Sequence, residues 1–245
     1  MSRKKPRTIG ILGGMGPEAT ARFFELIVKS TRAARDQGHL PVIVCDLPRI
    51  PDRTEAILHG GPSPLPELRR GLAILGRAGA DFAVMPCVSA HYFYPALAAR
   101  SPVPLVHLLE ATAAAVRKRR PRITRVGLLA TTGSVRSRIF QDVLETSGIE
   151  VLVPDARGQK RLMDAIYGRK GIKAGVTSGR PRRIVLDVAA SLVRRGARAV
   201  VAGCTEVPLV LGEGDLSVPL IDPMRIGAAA CIRRAGGTVR RSSSP

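Results

Sequence analysis

The stretch Gly79-Ala-Asp-Phe-Ala-Val-Met-Pro-Cys87-Val-Ser-Ala-His91 decides how this chain is read, because much of it recurs as Gly196-Ala-Arg-Ala-Val-Val-Ala-Gly-Cys204-Thr-Glu206. Each copy opens on a Gly-Ala turn, runs through a short apolar stretch of the length of a buried strand, and meets a cysteine as the stretch ends. Gly79 and Gly196 stand 117 positions apart, as do Cys87 and Cys204, and Ile9-Gly-Ile-Leu-Gly13 returns as Val126-Gly-Leu-Leu-Ala130 at the same offset. Val103-Pro-Leu-Val106 returns as Val218-Pro-Leu-Ile221 at an offset of 115. The pattern predicts two similar α/β halves, each presenting one thiol at the carboxyl end of a strand.

The chain outside the repeat fits that reading. Ile9–Leu12 reads as a strand and Gly13-Gly-Met-Gly-Pro17 as a tight turn, with Pro17 suited to the first position of a helix. A second strand over Val42–Cys45 leads into a loop over Asp46–Thr54 that carries Arg53, and prolines 62–66 delay the next helix to about 67–77. The Cys87 strand, a helix over 91–99, a strand over 105–107 and a helix over 110–119 follow. In the second half, strand 125–130, turn 131–134, a helix to about 147, strand 150–153 and a helix over 159–167 precede the Gly- and Lys-rich loop 168–175. A helix over 181–195, the Cys204 strand, a strand over 218–221 and a last helix over 223–235 complete the alternation. Strands alternating with helices imply parallel sheets covered on both faces. The fold expected is therefore α/β, two pseudo-symmetric domains, each a parallel sheet flanked by helices. Ligands of such sheets bind beyond the carboxyl ends of the strands, which places the expected site in the cleft between the halves.

Composition bounds the function. With 245 residues, 45% of them hydrophobic, the chain has material for one large domain or two ordinary ones. Aromatics make up only 3%, so the core must be built from Val, Ile, Leu and Ala. A net charge of +20 raises the possibility of nucleic-acid binding. The basic residues cluster at 2–7, 117–122, 157–183 and 240–241 with few aromatics between them for base stacking, which favours a solvated surface and no specific nucleic-acid partner. No apolar run approaches the roughly 18 residues of a membrane-spanning helix, and Thr8–Leu12 is too short for a signal-peptide core. Cys45, Cys87, Cys204 and Cys231 show no Cys-x-x-Cys spacing. Reduced thiols and a cytoplasmic location are expected, with no metal.

Thiols paired in this way suit one kind of chemistry. A cysteine where a strand passes into a helix faces unsatisfied N–H groups that favour the thiolate. Two thiols approaching a bound molecule from opposite sides exchange a proton across a stereocentre: one removes it, and the other returns one to the opposite face. The planar carbanion between the two steps needs donors on the carboxylate that accepts its charge. The turn Gly13–Gly16, the Ser89 and Thr205 hydroxyls, Arg53 and Lys173 are the candidates.

These motifs together resemble the aspartate/glutamate racemase family, which racemises amino acids without pyridoxal phosphate. The likeness runs over about residues 8–235 and is carried by Ile9-Gly-Ile-Leu-Gly-Gly-Met-Gly-Pro-Glu-Ala-Thr20, Ile50-Pro-Asp-Arg-Thr54, Met85-Pro-Cys87, Leu128-Leu-Ala-Thr131, Lys173-Ala-Gly175, Gly203-Cys-Thr-Glu206 and Ile221-Asp-Pro223. The resemblance implies Cys87 and Cys204 as the acid/base thiols, carboxylate recognition near Met15, side-chain-carboxylate recognition by Arg53 and Lys173, and hydroxyl donors at Ser89, Ser134 and Thr205. It implies a small amino-acid substrate, aspartate or glutamate, with no cofactor, and a homodimer. It also implies that the C-terminal helix 223–237 joins a first domain over 1–108, with a second domain over 109–222; residues 238–245 read as a disordered tail.

The chain departs from the family at Cys87-Val88-Ser89, where Cys-Asn-Thr is usual, so one amide anchor for the substrate is missing. Asp46-Leu47 stands where asparagines are common, and the loop before Lys173 is longer. Competing readings are isomerisation or decarboxylation of a small dicarboxylic acid on the same scaffold, and an inactive descendant that binds a ligand or polyanion. Gly13-Gly-Met-Gly16 matches neither Gly-x-Gly-x-x-Gly nor a P-loop, which argues against a nucleotide. His91, one helical turn beyond Cys87, reads as a packing residue or a group that tunes the thiol, and Cys45 and Cys231 read as packing residues.

Overall fold

The computed structural model of the chain is described over residues 5–240. Its contacts divide it into two units. Among the described residues, the first holds those up to Asp52, Pro62–Leu108 and those from Met224 onward; the second holds Arg53–Gly61 and Leu109–Pro223.

In chain order the strands are β1 (Ile9–Gly13), β2 (Val42–Asp46), β3 (Phe82–Val84), β4 (Leu105–Val106), β5 (Arg125–Leu129), β6 (Glu150–Leu152), β7 (Val200–Ala202) and β8 (Leu220–Ile221). The helices are α1 (Pro17–Ser30), α2 (Arg53–Leu58), α3 (Leu65–Arg77), α4 (Tyr94–Ala98), α5 (Leu108–Arg117), α6 (Thr132–Arg136), α7 (Ile139–Glu145), α8 (Ala156–Tyr167), α9 (Arg180–Arg194) and α10 (Pro223–Arg234).

The first unit carries a four-stranded parallel sheet in the order β2-β1-β3-β4, and the second a four-stranded parallel sheet in the order β6-β5-β7-β8. The two orders are the same once the second is counted from β5. The repeat in the sequence is thus a repeat of topology. β1 is buried along its whole length, as a central parallel strand covered on both faces must be. Helix α3 turns Leu68, Leu72 and Leu75 inward at three- and four-residue spacing, and α9 does the same with Ile184, Val185, Val188, Ala189 and Leu192.

Three expectations need correction. Arg53–Gly61, assigned by sequence to a continuous 1–108 domain, belongs to the second unit, and Arg53 and Thr54, expected in the loop 46–54, open a helix over Arg53–Leu58. A Cβ on Gly133 of α6 would come within 3.1 Å of Thr54 Oγ1, so α2 lies close against α6, tighter than most side chains pack. The helix expected to run to 147 is two, α6 and α7, broken where Ser137 Oγ donates to the Gly133 carbonyl at 2.6 Å and Arg138 takes φ 55°. Residues 238–240, expected in a disordered tail, are held in place: Val239 bridges Thr31, Arg32 N–H donates to the Thr238 carbonyl at 2.8 Å, and Arg240 N–H donates to the Ser30 carbonyl at 2.7 Å. The rest of the predicted tail, 241–245, lies outside the described residues, as does the start of the basic segment at 2–4.

Candidate active site

In the first unit, Cys87 lies three residues beyond the end of β3 and is 4% exposed. It packs in one apolar cluster with Met15, Cys45, Met85 and Ala90. Met15 itself belongs to the turn between β1 and α1. Gly14 takes φ +91° there, and a Cβ would fall 2.2 Å from the Leu47 carbonyl carbon, so only glycine allows that approach. Gly14 N–H donates to Thr20 Oγ1 at 2.9 Å, and that hydroxyl donates to the Gly16 carbonyl at 3.0 Å. The first turn of α1 therefore locks the loop that carries Met15.

A single 3-10 turn, Ser89–Phe93, follows Cys87 in place of the expected helix start; Ser89 and Val88 are both buried. His91 closes this turn from within. Its Nδ1 lies 2.9 Å from the Cys87 carbonyl, and its Nε2 accepts the Leu108 N–H at 3.1 Å. An Nε2 that accepts leaves the ring proton on Nδ1, which donates to the carbonyl. His91 is thus a neutral clasp on the Cys87 backbone, and burial and then the nearby His107 push its pKa down to about 4.

In the second unit, Cys204 lies two residues beyond the end of β7 and is 5% exposed. Its Sγ–H donates to Glu206 Oε2 at 2.9 Å, and Thr205 Oγ1–H donates to the same oxygen at 2.9 Å. Lys173 Nζ donates to Glu206 Oε1 at 2.6 Å. Lys173 sits on the short turn Ile172–Ala174 between α8 and α9, and its ammonium lies 5.4 Å from the centre of the Tyr167 ring. Burial pushes the Glu206 carboxyl up, but Lys173 and the hydrogen bonds from Cys204, Lys173 and Thr205 hold it below the usual carboxylate range.

Burial and then the Glu206 charge push the Cys204 thiol well above its ordinary range, against the pull of Lys173. The lowering expected of a helix start is corrected here. Only the 3-10 turn Val207–Leu209 follows this thiol, and a carboxylate beside it outweighs any N–H field.

Ser134 is fully buried in α6. Thr131 caps that helix, its Oγ1 accepting the Ser134 N–H at 3.3 Å and lying 3.1 Å from Ser134 Oγ. Arg53, buried at the start of α2, reaches the same unit because α2 packs on α6. The second unit therefore gathers Arg53, Ser134, Lys173, Cys204 and Thr205, and the first gathers Met15, Cys87 and Ser89. All four cysteines are free thiols; Cys231, fully buried, has its pKa pushed up to about 12 by burial. Among the described residues no cluster of His, Cys, Asp and Glu suited to a metal ion occurs, and no helix is long and apolar enough to cross a membrane.

Residues 12–231 match the family described as Asp/Glu/Hydantoin racemase. The chain belongs to that family. Membership carries the enzyme class with it, an amino-acid racemase. The chain is 25% identical over 239 residues to the broad specificity amino-acid racemase RacX of Bacillus subtilis, covering 93% of this chain and 95% of that one. Its fold superposes on the Picrophilus torridus aspartate racemase with a TM-score of 0.85, at 29% identity over 96% of each chain. A glutamate racemase from Francisella tularensis, solved with D-glutamate, shares the fold at a TM-score of 0.66, 16% identity, and coverage of 93% of this chain and 80% of that one.

One residue of the candidate site was not singled out in the sequence. Glu206 ends the Gly-Cys-Thr-Glu motif, and a carboxylate two residues beyond a strand-end thiol was the available signal. What the sequence does not display is its partner, because Lys173 lies 33 positions away.

Proposed function

We propose that the chain racemises a small acidic amino acid, aspartate or glutamate, by proton transfer through Cys87 and Cys204 with no organic cofactor. The observation that carries the reading is positional. The two thiols follow β3 and β7, which occupy the same place in two sheets of the same strand order. One thiolate takes the α-hydrogen, the Cα electron pair spreads into the substrate carboxylate, and the opposite thiol protonates the other face. Reversing the roles of the two sulfurs converts the other enantiomer.

Arg53 and Lys173 supply positive charge for substrate carboxylates, while the turn at Met15 and the hydroxyls of Ser89, Ser134 and Thr205 supply neutral donors. The aspartate racemase likeness supports an acidic substrate. The RacX likeness and Val88, whose side chain has no amide to offer, make the substrate range the first thing to measure. The proposal includes a cytoplasmic homodimer, tested by sedimentation and cell fractionation. Its basic surface, including the exposed Arg117, Arg119, Arg120 and Arg122, is read as solvated rather than as a nucleic-acid site.

The test is chiral chromatography after incubation of purified protein with each enantiomer of aspartate, glutamate and a panel of neutral and basic amino acids, without pyridoxal phosphate. Aspartate or glutamate is expected to converge on equal amounts of the two enantiomers. Turnover confined to non-acidic amino acids would replace the substrate, and turnover of none would overturn the reading.

A further inference from the structure

Glu206 gathers three donors on one buried carboxylate, and the two-thiol reaction as written gives it no task. Lys173 holds Oε1, while the Cys204 thiol and the Thr205 hydroxyl share Oε2. We propose that Glu206 is the positioning residue that keeps Cys204 as the protonated thiol of the resting enzyme, with Lys173 as the opposing charge that limits its hold. The inference rests on the two-thiol reading and adds an order of events to it.

The direction of the hydrogen bond carries the case. A carboxylate only accepts, so the sulfur 2.9 Å from it must bring the proton. A thiolate in that position would put two anions in contact inside a buried site, where charge repulsion is weakly screened. Among the described residues the charges acting on Cys204 are Glu206 on its own loop and Lys173 from the turn after α8. The Lys173 ammonium itself lies 5.4 Å from the centre of the Tyr167 ring, and Cys204 belongs to an apolar cluster with Leu129, Ala202 and Val207.

Glu206, held below the usual carboxylate range, is a poor acceptor for the Cys204 proton, so the thiol keeps it. Cys204 therefore enters the cycle as the acid. Its S–H bond breaks as the new Cα–H bond forms, the electron pair stays on sulfur, and a solvent proton restores the thiol. For the enantiomer that Cys204 must deprotonate, thiolate formation comes first and is resisted by Glu206. Mirror-image amino acids have equal free energies in water, so kcat/KM is the same in both directions for every variant. The asymmetry appears in kcat and KM taken separately.

The test reads Cys204 directly in the full-length chain: the rate of iodoacetamide alkylation of the Cys204 peptide against pH, by mass spectrometry. Glu206→Gln is expected to lower the midpoint by about one pH unit or more, roughly ten-fold more thiolate at a fixed pH below it. Lys173→Gln is expected to raise the midpoint, and Glu206→Asp, which keeps the charge, to stay nearer the native profile than Glu206→Gln. The same Gln variant is expected to change the ratio of kcat values in the two directions. A midpoint that stays put or rises in Glu206→Gln, or that moves the same way in Glu206→Gln and Lys173→Gln, would overturn the assignment. Alkylation needs no turnover. A shifted midpoint in a protein that racemises nothing would overturn the proposed function while upholding the control of the thiol; an unshifted one in an active racemase would do the reverse.

Discussion

Cys87 and Cys204 occupy the same place in two repeats of one topology, yet their neighbours do opposite things. Around Cys87 the clasp acts on the backbone: a neutral histidine holds the carbonyl, and the residue belongs to an apolar cluster with Met15, Met85 and Ala90. Around Cys204 the clasp acts on the sulfur itself, through a carboxylate that is in turn neutralised by an ammonium. The repeated topology supplies two equivalent positions, and different neighbours surround them. A catalyst that needs one acid and one base at a time has use for that difference, because two thiols in the same environment would have no resting preference.

The largest expected effect comes from removing either sulfur. Cys87→Ser and Cys204→Ser should each lower racemisation by ~10²–10⁴-fold, the usual worth of a positioned acid or base, when followed by chiral chromatography. Equal losses would sharpen the view that both repeats act, and a silent substitution would break it.

The turns after the first strand of each half come next. Gly14→Ala puts a side chain at φ +91° and against the Leu47 backbone, which should cost about 1–3 kcal/mol for the dihedral alone, with the clash in addition, by chemical denaturation. In the second half the equivalent turn is capped by Thr131, so Thr131→Ala should cost only about 1 kcal/mol by the same measurement.

His91 gives an expectation of size close to that of Gly14. Its folded pKa of about 4 lies below the ordinary 6.5, because the buried ring resists protonation. Its contribution is therefore fully present above pH 6.5 and lost as pH falls toward 4, on the order of 3 kcal/mol of unfolding free energy by chemical denaturation. His91→Gln should flatten that pH dependence, which would confine it to the Cys87 half.

Much of this was legible in the sequence because it is local. Buried parallel strands read as short apolar runs, and the repeat set both thiols at strand ends before any contact was known. What escaped is tertiary. Arg53 and Thr54 read as the end of a loop, and the helix they open packs on Gly133, 79 positions beyond Thr54. The Lys173–Glu206 pair joins residues separated by α9 and β7, so neither side chain reveals the other. The expected activation of Cys204 by a helix start reversed sign because burial of the thiol, which the sequence does not measure, and then the charge of Glu206 outweigh the weak field of one 3-10 turn.

The most direct measurement of the two-thiol account is deuterium uptake at the α-carbon in heavy water, with each enantiomer of aspartate and glutamate, in the native chain and in Cys87→Ser and Cys204→Ser. The native protein should take up deuterium with inversion from both enantiomers. Each variant should lose inversion, and any exchange it keeps should come with retention, from one enantiomer for Cys87→Ser and from the mirror image for Cys204→Ser. Inversion at the native rate in either variant, or residual exchange from the same enantiomer in both, would contradict the account.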